Sequence, residues 1–392
     1  MFDGFLRVAA ATPDIRVADC NFNGASAAAL VSEAYEQGVS LLVLPELCLT
    51  GYTCSDLFLQ ESLLDGAGKA LLTLTEATRD KNMVVLAGLP LTVNGVLYNV
   101  AAVLHDGDIL GFVPKSYLPT YSEFYEGRHY HSGADIEADV LFNGRTYPFG
   151  TRLLFRCRQM PAFTLGIEIC EDLWVAQPPS ISHALAGATV IANLSASDET
   201  TGKDIYRRSL VSGQSARLVC GYIYADAGEG ESSTDLVFGA HNLICENGSI
   251  LAESERFSNQ MIMADMDMSK LISERRRMTT WQPKFDNGYR VIDFDLEMHE
   301  VDLRRFIDPH PFVPDDAMDR TRRCEEILTI QAMGLKKRLA HTHCRHAVVG
   351  ISGGLDSTLA LLVTVRAFDM LDMDRSQIMA VTMPCFGTTD RT

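Results

Sequence analysis

The sequence predicts an α/β fold followed by a second, smaller strand–loop–helix–strand unit. Three observations carry this. Short apolar, β-branched runs alternate with helical stretches from the N-terminus to about residue 270. Three of those runs end beside a chemically reactive residue: Glu46, Lys115 and Cys170. Near the other end, an apolar run passes into Ser352-Gly353-Gly354-Leu355-Asp356-Ser357 and then into a helical stretch.

Taken in order, Leu6–Thr12 reads as the first strand. Residues 26–37 are Ala-rich and amphipathic, with Gly38 as a C-cap signal. Leu41–Leu44 is a buried strand that ends at Pro45-Glu46. Residues 83–88 and 97–104 are further strands, and 105–108 turn the chain into a strand at 109–113. Residues 164–169 form a strand ending at Cys170, and 188–193 form another ending at Leu194-Ser195. The texture changes near 275, where Glu274-Arg275-Arg276-Arg277 is charged. Pro309, Pro311 and Pro314 make 308–316 read as extended linker. A helical pattern runs from Ala317 to about Leu339, and the polar segment 341–346 reads as a turn into the strand 347–351. A last strand is expected over 377–383, which completes one βαβ unit. The expected domains are therefore 1–275, a linker over 276–316, and 317–392. One βαβ unit cannot cover a parallel sheet by itself, so the second domain reads as the first part of a longer one.

Composition excludes several function classes. The chain has 392 residues, 47% hydrophobic and 22% charged, enough for roughly two to three domains with full cores. A net charge of −17 argues against a nucleic-acid surface. No apolar stretch reaches the roughly 18 residues of a membrane span. The N-terminus lacks the basic and long apolar regions of a signal peptide. Ten cysteines are scattered without a CxxC pair. These features predict a protein of the reducing cytosol, with free thiols and no metal cluster.

The three strand ends supply complementary chemistry. Sites in α/β sheets form where strands end, so Glu46, Lys115 and Cys170 can converge. A free thiol is mostly protonated at neutral pH, and Glu46 is the general base that takes its proton. Attack on a carbonyl creates an oxyanion, which Lys115 and the backbone N–H after the nucleophile can stabilise. The other nine cysteines read as structural. In the second unit, strand, Gly-rich loop and helix N-terminus form a nest of N–H groups suited to phosphate. The loop lacks the Lys of a Walker A motif.

Leu44-Pro45-Glu46-Leu47, Pro114-Lys115 and Gly166–Trp174 resemble the three signature segments of the nitrilase superfamily, in that superfamily's order. The resemblance implies a four-layer αββα sandwich and a Glu–Lys–Cys triad acting on carbon–nitrogen bonds. It also implies a second glutamate after the lysine, for which Glu123 fits better than Glu126. The SGGxDS loop resembles that of ATP pyrophosphatases. The two halves together resemble the glutamine-dependent NAD⁺ synthetase family, as do the segments 114–128 and 386–392.

That resemblance implies glutamine hydrolysis by Cys170, with Tyr121, Ser197 and Lys203 holding glutamine and Tyr52 and Glu171 as further pocket residues. It implies ATP with Mg²⁺ bound by Gly350, Ile351, Ser352, Gly353, Gly354, Leu355, Asp356 and Ser357. Asp356 either touches the metal or caps the following helix. The ammonia would pass to adenylated deamido-NAD⁺ in a cytoplasmic, higher-order homo-oligomer with no nucleic-acid or membrane partner. With the synthetase portion cut short, the expected activity is at most the glutaminase step. The alternative is a stand-alone nitrilase-superfamily amidase. Glutaminases with an N-terminal nucleophile need Cys at position 2, where this chain has Phe2.

Overall fold

The computed structural model describes residues 4–285 and 288–383. The chain divides into one compact unit through Arg305 and a second from Phe306.

The first half of the larger unit contains β1 (Phe5–Ala11), α1 (Cys20–Glu36), β2 (Leu41–Val43), α2 (Glu61–Ala77), β3 (Val84–Val93), β4 (Val96–His105), β5 (Asp108–Pro114), β6 (Glu137–Phe142) and β7 (Arg145–Gly150). The second half contains β8 (Leu153–Cys157), β9 (Thr164–Ile169), α3 (Pro179–Leu185), β10 (Val190–Ser195), α4 (Lys203–Leu218), β11 (Gly221–Asp226), β12 (Leu243–Glu246), β13 (Ser249–Glu253), β14 (Met261–Asp267), α5 (Met268–Arg277) and β15 (Arg290–Phe294).

Two sheets result. One has the order β14-β1-β2-β3-β4-β5-β7-β6, the other β13-β12-β11-β10-β9-β8-β15. Parallel pairing joins β1, β2 and β3 in the first and β9, β10 and β11 in the second. Alternation along the strands decides what each face buries. Leu6, Val8, Leu41 and Val43 meet Ile167, Ile169, Val190 and Ala192 in a core between the sheets. The opposite face of the first sheet packs Ala27, Val31, Leu71 and Leu74 of α1 and α2. The opposite face of the second packs Ala184 and Val211 of α3 and α4. The layers are therefore α, β, β, α, as the resemblance implied. Phe155 is fully buried in the central core, and truncating it to alanine is expected to cost about 3–5 kcal/mol.

Several boundaries differ from the sequence reading. Helix α1 starts earlier, at Cys20, because the Asp19 carboxylate accepts the Phe22 N–H (3.1 Å) and caps it. The turn between β4 and β5 matches expectation, with Asp106 and Gly107 both at positive φ (45° and 72°).

The stretch expected as linker, 276–316, departs more. Its residues Arg290–Phe294 form β15, which pairs in parallel with β8 and ends the second sheet. Tyr289 donates its hydroxyl to His183 Nδ1 (2.8 Å), while His183 Nε2 bonds the Ile167 carbonyl (3.0 Å). Arg305 donates to both oxygens of buried Glu246 (2.6 and 2.9 Å). A charged exterior hid an edge strand whose inner residues serve the core.

The smaller unit contains α6 (Ala317–Thr342), β16 (Ala347–Gly350), α7 (Leu355–Asp369) and β17 (Ile378–Val381), with β16 and β17 parallel. Asp316 caps α6 by accepting the Asp319 N–H (2.8 Å). Its core is Ala332, Leu339, Val363, Ala367 and Phe368. No described helix is long and apolar enough to cross a membrane.

Candidate active site

The base is placed by a close crossing of backbones. A Cβ on Gly88 of β3 would stand 2.2 Å from the Leu47 nitrogen and 2.7 Å from the Pro45 oxygen. Only glycine lets the 45–47 loop cross β3 at this distance. Glu46 thereby turns inward and is 1% exposed. Its Oε2 accepts the Ala196 N–H (3.0 Å), and its Oε1 accepts from Asn99 Nδ2 (2.6 Å) and Lys115 Nζ (2.6 Å).

Lys115 follows β5 and is also buried. Its ammonium donates to Glu46 and to Glu126 Oε1 (2.6 Å each). Burial opposes its charge, yet the two carboxylates outweigh this and hold its pKa well above the usual lysine value. An unpaired lysine could not remain charged here, and two unpaired carboxylates could not both remain ionised. Glu126 shows the remaining strain. Burial and the nearby Glu46 raise its pKa against the pull of Lys115. Tyr52 adds a hydroxyl donor to Glu126 Oε1 (2.8 Å), and Glu126 Oε2 has no partner among the described residues.

Cys170 sits where β9 ends, with φ at +44°, a left-handed conformation that costs a non-glycine residue energy. Asn193 Oδ1 accepts its backbone N–H (3.0 Å). Asp172 accepts from Ile169 N (3.0 Å), Ser116 N (3.1 Å) and Tyr117 N (2.9 Å). That carboxylate ties the turn carrying the thiol to the loop just after Lys115. The thiol is almost buried, and its pKa stands well above the usual value. Burial is the first cause and the Glu46 charge the second, with Lys115 pulling the other way.

The structure therefore gathers Glu46, Lys115 and Cys170 at one place, and it corrects the second glutamate. Glu126, not Glu123, meets Lys115. The 121–124 turn, closed by Phe124 N–H to Tyr121 O (3.0 Å), leaves Glu123 half-buried on its rim. Glu126 lies on the inner side, where its N–H bonds the Pro119 oxygen (3.1 Å). Both glutamates, with Tyr52, Phe124 and Tyr130, line a cavity of about 380 Å³. Cys170 is outside that lining, so the cavity adjoins the triad at Glu126 rather than at the thiol.

The remaining expected residues lie around the thiol's strand ends. The exposed Tyr121 donates its hydroxyl to Glu171 Oε1 (2.9 Å). Burial raises the Glu171 pKa, against Tyr121 and Lys115. Ser197 is buried, with its N–H on Asp226 Oδ1 (2.8 Å). Lys203 opens α4, pairs with Asp198, and lies over the rings of Trp174 (5.4 Å) and Phe124 (5.8 Å).

Sequence reasoning missed Asn99, Asn193, Asp172 and Arg207. Arg207 is fully buried and donates to Ser197 Oγ (3.2 Å) and the Asp198 carbonyl (3.1 Å), so it shapes the loop after β10. The signal for the two asparagines was present, because each interrupts an otherwise apolar strand.

In the smaller unit the loop is open. Residues 352–356 are exposed, and Gly353 has φ +82°. Ser357 Oγ accepts the Ser352 N–H (3.3 Å) and donates to the Gly354 carbonyl (3.0 Å). Gly354 occupies the N-cap position of α7 and no side-chain hydrogen bond caps that end, so Asp356, two residues further on, is not its cap. The segment 386–392 lies outside the described residues. Among the described residues, no group of three His, Cys, Asp or Glu side chains could hold a metal.

The carbon-nitrogen hydrolase family profile matches residues 7–276, and the NAD synthase profile matches 327–392. A glutamine-dependent NAD(+) synthetase of Mycobacterium bovis is 43% identical over 99% of this chain and 59% of its own length. That of Mycobacterium leprae is 42% identical with the same coverage. The chain thus spans about 59% of these relatives.

Among solved structures, a glutamine-dependent NAD(+) synthetase from Cytophaga hutchinsonii matches with TM-score 0.61 at 22% identity, over 98% of this chain and 61% of that one. A nitrilase-superfamily amidase from Nesterenkonia matches with TM-score 0.52 at 20% identity, over 69% and 94%. Through residues 7–276, this chain belongs to the carbon–nitrogen hydrolase family.

Proposed function

We propose that this chain carries the glutaminase and the opening of the ATP-binding portion of a glutamine-dependent NAD⁺ synthetase. The observation that carries the reading is the buried Glu46–Lys115–Glu126 cluster beside a strained cysteine. The synthetase name shared by relatives aligned over 99% of the chain favours it over the stand-alone amidase.

Cys170 attacks the side-chain amide carbon of glutamine. Because its thiol is held protonated, attack needs a base, and Glu46 takes that proton. Two of the three Lys115 N–H groups are committed to Glu46 and Glu126. The third, with the Glu171 amide, faces the developing oxyanion. The C–N bond breaks as Glu46 returns the proton to the leaving nitrogen, giving ammonia and a glutamyl thioester. Glu46 then takes a proton from water, whose oxygen displaces the Cys170 sulfur and frees glutamate, and Glu46 returns that proton to the thiolate.

Tyr121, Ser197, Lys203, Tyr52 and Glu171 hold the substrate. Lys203 and Ser197 suit its carboxylate, and Glu171 suits its ammonium. In the second unit, residues 350–357 bind Mg²⁺-ATP. Adenylation of deamido-NAD⁺ there releases pyrophosphate and creates the electrophile that ammonia converts to NAD⁺, releasing AMP. We place the protein in the cytosol as a higher-order homo-oligomer.

The test is ammonia release from glutamine by the purified chain beside Cys170→Ala, with and without ATP and deamido-NAD⁺. Cys170-dependent ammonia is expected. Release of ammonia from small aliphatic amides as fast as from glutamine would overturn the reading.

A further inference from the structure

A column of polar side chains lies buried behind the nucleophile, on the helix-facing side of β9, β10 and β11. The reaction does not use it. Glu168, Asn193, Ser180 and Tyr222 are each at most 1% exposed. Glu168 and Asn193 are direct partners across β9 and β10.

The hydrogen bonds run in one direction. Glu168 Oε2 accepts the backbone N–H of Ser180 (2.8 Å), a group that can only donate. Glu168 Oε1 accepts the Tyr222 hydroxyl proton. With that proton committed, the Tyr222 oxygen offers only lone pairs to its other neighbour, Asn193. It therefore selects the amide nitrogen, and Nδ2 of Asn193 donates to it (3.2 Å). The Asn193 oxygen is left facing the other way, where it accepts the Cys170 N–H (3.0 Å).

We infer that Asn193 is a positioning residue for the nucleophile, and that Glu168, acting both directly as its cross-strand partner and through Tyr222, dictates which end of the Asn193 amide meets Cys170. The inference rests on the glutaminase reading above. It explains what holds Cys170 at φ +44° in the absence of glycine. A reversed amide would set two donors face to face at the Cys170 nitrogen and release the turn. It also spends the Cys170 N–H inward, so that the next amide, Glu171, serves the oxyanion.

A relay with a direction makes an unusual demand on mutants. Glu168→Gln changes no volume. Its oxygen must still accept from Ser180, which turns its NH₂ toward Tyr222. Tyr222 then sends its proton to Asn193, and the amide reverses. Tyr222→Phe removes one link and leaves Asn193 beside an unaltered Glu168, so its orientation is kept most of the time.

Two readouts are needed on the full chain, with cooperative melting checked first. One is kcat and KM for glutamine. The other is the rate of Cys170 alkylation by iodoacetamide across pH, mapped by peptide mass. Tyr222→Phe is expected to lower kcat and alkylation about tenfold with KM within about twofold, and Glu168→Gln to lower them about tenfold further.

Glu168→Gln no worse than Tyr222→Phe overturns the inference. If Tyr222→Phe does not melt cooperatively, the isosteric Glu168→Gln decides, and alkylation within about threefold of the unmodified protein sinks the idea. If the unmodified protein releases no ammonia from glutamine, the glutaminase reading fails while the alkylation arm still tests the relay.

Discussion

The two candidate sites in this chain are built in opposite ways. In the larger unit the reactive groups are buried, and each is gripped by groups from separate strands: Glu46 by Asn99, Lys115 and the Ala196 amide, Cys170 by Asn193. In the smaller unit, residues 352–356 are exposed, and the loop is held by bonds among Ser352, Gly354, Ser357 and Thr358. The first site gets its geometry from distant parts of the chain. The second gets it from its own few residues. Polar chemistry that must act without water needs the first kind of support, because a buried charge missing a partner is costly. A backbone nest for phosphate needs only the right turn.

The comparison breaks most sharply at the thiol. Cys170→Ala is expected to lower ammonia release by about a thousandfold or more, with the melting temperature little changed, since the side chain packs as a small apolar group. A residual rate above a tenth of the unmodified one would remove Cys170 from the reaction.

Next comes the corrected glutamate. Glu126→Gln is expected to cost about a hundredfold in kcat, because it unbalances the charges around Lys115, while Glu123→Gln stays within about twofold. Initial rates over a range of glutamine concentrations separate the two. Equal losses would return the role to the rim.

The smaller site is expected to respond only locally. Gly353 sits at φ +82°, so Gly353→Ala strains the loop by about 1 kcal/mol and weakens ATP binding, measured by calorimetry. Glutamine hydrolysis without ATP should not change. A parallel loss of both would mean that the sites are not separately built.

Stability responds to pH through His183. Burial pushes His183 down to about 4 from an ordinary 6.5. Between those values the unfolded chain takes up a proton that the folded chain refuses, so acid favours unfolding. Stability present at pH 7 is therefore lost as pH falls from about 6.5 toward 4, by about 3 kcal/mol at most. Urea midpoints at pH 7 and pH 5 measure it, and His183→Gln should flatten the difference.

The same contrast explains what the sequence disclosed. Glu46, Lys115 and Cys170 were legible because each closes an apolar strand, and strand ends are where sites gather. The phosphate loop was legible because its shape is local. Glu126 was not, because one tight turn at 121–124 decides which of two nearby carboxylates points inward. Strand β15 was hidden by its charges: Arg290 and Asp293 face outward to Asp139 and Arg156, and the pairing with β8 and the core packing of Ile292 and Phe294 are what place the segment in a sheet. Asn99 and Asn193 stood as polar interruptions in apolar strands. Their partners, brought by other strands, could not be read from the run itself.

Gly88 sets a limit on how far this site can be redesigned. The walls of the adjoining cavity are loops, and their side chains can be exchanged to admit a different amide. The reach of the base cannot be tuned in that way, because it is fixed by a crossing of two backbones with no room for one methyl group. An engineer could exchange the residues that line the cavity long before moving Glu46.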